Sequence, residues 1–75
     1  MSKTELERIK QLFESSIGNF DQAPTYDAIA FAERDEKNPK NRDLLHEAAL
    51  ALLRRQPEKV RELLNSIEPE ASAPG

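Results

Sequence analysis

Leu44-Leu45-His46-Glu47-Ala48-Ala49-Leu50-Ala51-Leu52-Leu53, closed by Arg54-Arg55-Gln56-Pro57, is the stretch whose reading decides the fold. Apart from His46 and Glu47, every residue from Leu44 to Leu53 is apolar, and all of these are leucine or alanine. Leucine and alanine are strong helix formers, and alanine is depleted in strands. A helix that is apolar nearly all round is usually the central, most buried one of its domain. Asn38 or Asn41 offers an N-cap and Pro39 suits a first helical turn, so a helix is predicted over 39–55. Leu50 and Leu53 are expected to share one core with Val60, Leu63 and Leu64, so that Leu53→Ala would leave a cavity costing about 2–5 kcal/mol.

Downstream, Pro57 interrupts this helix and is suited to start the next. Val60, Leu63, Leu64 and Ile67 follow at i, i+3, i+4 and i+7, the cleanest amphipathic stripe in the chain, and Pro69 stops it. A final helix is predicted over 57–67. Residues 68–75 are small, polar and proline-containing, and are expected to form a disordered tail.

Upstream, Thr4 and Glu7 stand in the spacing of a capping box, and Leu6, Ile9, Phe13 and Ile17 line one face of a helix predicted over 4–17. Gly18-Asn19 should end it, and Gly18, Asn19, Asp21 and Pro24 together read as a loop. In the next segment, Ala28, Ala30 and Ala32 alternate with Ile29 and Phe31 as a strand would. The alanine content argues instead for a helix over 26–36, with Phe13 and Phe31 buried and Tyr26 exposed. The sum is an all-α chain, a small three- or four-helix bundle in a single domain over 1–67.

Composition narrows the function. Seventy-five residues make one domain at most, since so short a chain buries only about 60% of its unfolded surface, and leave little room for a large cleft. Eleven Lys and Arg against 14 Asp and Glu give a net charge of −3, which does not recruit nucleic acid or anionic membrane by bulk electrostatics. There is no cysteine, no run as long as a membrane span and no apolar signal-peptide core near Met1, so a cytoplasmic protein is expected, neither exported nor anchored. His46 is the only histidine. It has Asp43 and Glu47 as helical neighbours but no catalytic or metal-binding constellation, so it is read as a solvated or half-buried helix residue. Neither enzymatic activity nor a cofactor is expected.

Two surfaces remain. Phe20, Tyr26 and Asp27, in and beside the first loop, are candidate partner contacts: an aromatic anchor with a steering charge. Arg54, Arg55, Lys59 and Arg61 form a basic corner that could meet phosphate or an acidic partner. The plainer reading has the two arginines offsetting a helix dipole, with Glu58 and Glu62 neutralising Lys59 and Arg61.

Thr4-Glu5-Leu6-Glu7-Arg8-Ile9, Ile29-Ala30-Phe31-Ala32-Glu33-Arg34 ahead of Asn38-Pro39, and Gln56-Pro57-Glu58 with Arg61 occur in the same order as fragments of the theta subunit of bacterial DNA polymerase III, a small helical protein that the chain resembles there. Matching the fragments takes insertions between them, and that family's basic C-terminal extension is missing. The resemblance implies a noncatalytic subunit that stabilises a larger enzyme. From the residues themselves, the expectation is a noncatalytic protein-interaction module, a bacterial or phage regulatory protein that acts as an inhibitor or accessory subunit. It is also expected to form a homodimer, because the 44–53 helix has more apolar circumference than three short neighbours can cover. The competing class is a nucleic-acid-binding helical module built on the basic corner.

Overall fold

The computed structural model describes residues 1–19 and 21–69. Four helices succeed one another: α1 (Lys3–Asn19), α2 (Ala23–Asp35), α3 (Pro39–Leu53) and α4 (Pro57–Ser66). Pro24, Pro39 and Pro57 all sit in a first helical turn, where the missing N–H is no loss and the fixed φ is already helical.

Local chemistry moves several boundaries away from the sequence expectation. Ser2, not Thr4, caps α1: its Oγ accepts from the Glu5 N–H at 3.1 Å, because Ser2-Lys3-Thr4-Glu5 is itself a capping sequence two residues upstream. Gly18 does not stop α1, since its φ is not positive and the helix runs on to Asn19. The helix α2 begins before the predicted Tyr26, because Asp21 Oδ1 accepts from the Ala23 N–H at 3.3 Å and Pro24 belongs to the helix instead of the loop. At α3, Asn38 is the N-cap, its Oδ1 accepting from Lys40 N–H at 3.0 Å. That helix ends at Leu53, ahead of the predicted Arg55. Gln56 N–H donates to the Ala51 carbonyl and Arg55 N–H to that of Leu52, a Schellman closure with Arg55 in the left-handed region at φ 57°.

Pairings between helix ends set the topology. The α-ammonium of Met1, before α1, lies 2.9 Å from Glu36 Oε2, just past α2. Asn41, in the first turn of α3, bonds to the backbone of Glu68, just past α4. At the opposite end, Ile17 of α1, Gln22 ahead of α2, Leu52 and Arg55 at the end of α3, and Pro57 of α4 line one cleft. The helices therefore run up, down, up and down. α3 lies between α2 and α4, and α1 closes the bundle against those same two helices.

The core is drawn from all four: Leu6, Ile9 and Phe13; Ile29 and Ala32; Leu45, Ala48 and Leu52; Val60 and Leu64, with Ile67 beyond α4. Four expectations are corrected by it. The α1 stripe turns inward at Ser16, whose Oγ donates to the Phe13 carbonyl at 2.7 Å, and leaves Ile17 at the surface. Phe31 is 63% exposed, because the inward line of α2 is Thr25, Ile29, Ala32 and Glu36. Leu53 is 62% exposed and Leu50 half-buried, so Leu53 is not a core residue, and the cavity cost expected for Leu53→Ala belongs to Leu52. The tail does not begin at Glu68, which Asn41 holds in place; the remainder of that expectation, over 70–75, lies outside the described residues.

Candidate interaction surfaces

The helix α2 turns two flanks outward. One faces α1, where Pro24, Ala28 and Phe31 with Ile9 and Leu12 line a groove of about 370 Å³ rimmed by Glu5 and Arg8. Ile9 and Leu12 come from α1 because that helix presents apolar residues at three- and four-residue steps. Phe31 stands over this groove with most of its ring in solvent.

The other flank faces α3. Glu33 Oε1 lies 2.8 Å from His46 Nδ1, a contact that joins two antiparallel helices. Tyr26 stands near the start of α2 and Leu53 at the end of α3, toward the same end of the bundle. Both are exposed, Tyr26 at 37%, while Ala30 and Leu50, nearer the Glu33–His46 contact along their helices, are half-buried. An apolar seam results, ending in the Glu33–His46 pair.

Of the expected partner contacts, Tyr26 and Asp27 are both at the surface of α2, and Phe20 lies outside the described residues. Leu53 and Phe31, expected in the core, are exposed as well. Their signal lay in the phase of each helix: once Thr25, Ile29 and Ala32 point inward, Phe31 falls on a flank, and once Leu45, Ala48 and Leu52 do, Leu53 does the same.

The four cations of the basic corner do not converge. Arg61 turns to α1, donating from Nε and Nη2 to Glu14 at 2.9 and 3.0 Å, with its guanidinium 5.8 Å from the Phe13 ring centroid. The hydrogen bond to Arg61 holds the Glu14 carboxyl below its ordinary range, and the same contact raises Arg61. The partner of Arg61 is thus Glu14, across the bundle, and not the neighbouring Glu62. Lys59 shares a shallow surface with Glu58 and Glu62. Arg54 and Arg55 remain exposed at the end of α3, Arg55 on the rim of a cleft of about 270 Å³ floored by Phe13, Leu52 and Val60.

His46 is exposed and its ring bonds to Glu33. Among the described residues no group of three or more His, Cys, Asp or Glu is placed to hold a metal ion, and no helix is long and apolar enough to cross a membrane. No family model, curated protein or solved structure matches this chain, so the resemblance to the theta subunit rests on the residues quoted for it.

Proposed function

We propose that the protein is a noncatalytic interaction module that binds a larger protein through the α1–α2 groove, as a regulatory inhibitor or accessory subunit. The exposure of Phe31 carries this reading. Burying a phenylalanine fully is worth about 1.5–3 kcal/mol, and this small bundle forgoes most of that gain at a residue standing over an apolar groove. An aromatic beside a groove of this kind is how one protein anchors an apolar helix or loop of another, with the rim charges Glu5 and Arg8 setting orientation. The remaining cations of the basic corner support a phosphate-binding reading less well, since Arg61 is already held by Glu14.

Affinity capture from a bacterial lysate with wild type and Phe31→Ser tests the proposal. Phe31→Ser keeps the melting temperature, because little of the ring is buried, and loses the captured protein. Recovery of the same protein by both, with equal yield, removes the groove from the interface. Tyr26→Ala, on the other flank of α2, serves as the comparison and retains the captured protein.

A further inference from the structure

We infer that the cleft at the end of the bundle, where α1, α3 and α4 meet, is a binding site for a small carboxylate with an apolar body, such as a medium-chain aliphatic acid, held at its charged end by Arg55. The cleft shares no lining residue with the Phe31 groove, so each reading stands without the other.

The space sets the size and character of the ligand. The cleft measures about 270 Å³. Pockets for drug-sized molecules run from roughly 300 to 1,000 Å³, so this one suits something smaller. Its floor is Phe13, Leu52 and Val60, each almost fully buried, and Ile17 leaves apolar surface at its edge. A pocket of that kind takes up an apolar body, and the polar groups on its rim select what else the ligand carries.

The rim selects an anion. Among the described residues that line the cleft, Arg55 is the only charged one, and it is a cation in a chain of net charge −3. Arg61 is held by Glu14, whereas Arg55 takes part in no ion pair among the described residues. Gln22 and Gln56 stand on the same rim, and neither side chain caps the helix that it precedes, so both carboxamides can donate. A guanidinium matches a carboxylate in a planar, two-bond geometry. One cation balances one charge, which favours a monocarboxylate over a phosphate monoester carrying close to two.

The backbone at Arg55 points the same way. The residue is left-handed at φ 57°, in the position after α3 that glycine commonly fills in a Schellman closure. The closure uses only backbone groups there and needs no side chain. Strained conformations of this kind gather at ligand clamps. An arginine kept at this corner sets a cation at the mouth of the cleft despite the strain.

The test titrates the full chain with octanoate, below its micelle-forming concentration, and with octanol as the neutral chain of the same length, following amide shifts by nuclear magnetic resonance. Octanoate binds about tenfold more tightly than octanol, the difference that a hydrogen bond to a charged group brings. The largest shifts fall on Leu52, Arg55, Gln56 and Val60. Arg55→Gly keeps the fold, binds octanol as wild type does and loses the tenfold preference. Arg54→Gln, which removes a neighbouring exposed cation that does not line the cleft, keeps it. Any of four results overturns the inference: no saturable shift with octanoate, octanol bound as tightly as octanoate, shifts centred on Ala28 and Phe31, or the same preference in Arg55→Gly as in wild type.

Discussion

Asn41, buried in the first turn of α3, holds the backbone of Glu68 from both sides: its Nδ2 donates to the Glu68 carbonyl at 2.7 Å, and the Glu68 N–H donates to its Oδ1 at 3.2 Å. A carboxamide can donate and accept at once, so one side chain satisfies two backbone groups that the end of α4 leaves without helical partners. Across 27 residues of sequence, this contact ties the last helix to the start of the central one. Asn41→Ala removes both bonds and is expected to cost about 2 kcal/mol. That loss lowers the melting midpoint by about 10 °C in a domain of this size. Asn41→Asp keeps the acceptor but turns a carboxylate toward the Glu68 carbonyl, and recovers part of the loss at most. Calorimetry that finds Asn41→Ala as stable as wild type would show that the contact contributes nothing.

Leu52 and Leu53 are chemically identical neighbours with opposite surroundings, one almost fully buried and the other largely in solvent. Leu52→Ala is expected to cost about 2–5 kcal/mol through lost contacts and the cavity left behind. Leu53→Ala is expected to stay within about 0.5 kcal/mol of wild type, as surface substitutions do. Urea unfolding of the two variants side by side measures the difference, and equal losses would contradict the phase assigned to α3.

Arg55 closes α3 in a left-handed conformation that costs a residue with a Cβ roughly 1–2 kcal/mol. Arg55→Gly relieves that cost while adding some freedom to the unfolded chain, and a net stabilisation of about 0.5–1 kcal/mol is expected. A higher urea midpoint with an unchanged slope is the sign. A lower midpoint would mean that the Arg55 side chain, on the rim of the end cleft, contributes more than its backbone loses.

The helices are legible in the sequence mainly through their prolines. Pro39 and Pro57 announce the starts of α3 and α4, and the Val60, Leu64 and Ile67 stripe of α4 is buried as its spacing implies. Pro24 carries the same meaning but stands among Gly18, Asn19 and Asp21, where turn chemistry masks it. What periodicity does not encode is phase in a helix without a polar face. From Leu44 to Leu53, only His46 and Glu47 mark an outside, so nothing local separates Leu52 from Leu53. The separation comes from small Ala48, Ala49 and Ala51, which let neighbouring helices approach, and from Asn41, whose partner is remote in sequence. The candidate surfaces follow the same rule. The exposure of Tyr26 and Asp27 could be read from their place at the start of a helix, whereas that of Phe31 and Leu53 depends on tertiary packing.

Glu36 links pH to stability. Burial pushes its carboxyl up, but the Met1 α-ammonium at 2.9 Å, with the N–H groups of Asn38 and Lys37 that donate to Oε1 at 3.1 and 3.0 Å, outweighs burial and holds it below the ordinary 4.5. A carboxyl lowered by folding stabilises the folded state at every pH above its unfolded value, and that contribution fades as the pH falls through the lowered one. Glu36→Gln keeps an oxygen to accept the two N–H bonds and deletes only the charge facing the ammonium. The variant is therefore expected to be less stable than wild type at pH 7, with the gap closing as both are taken toward pH 3. The exposed Glu14–Arg61 pair also titrates in this range, but it is common to both proteins and cancels in the difference. Urea unfolding of the two at pH 7, 5, 4 and 3 measures the gap directly. A gap that stays constant down to pH 3 would mean that the Gln side chain fits the site poorly, and that the ionised pair at the base of the bundle is not what stabilises it.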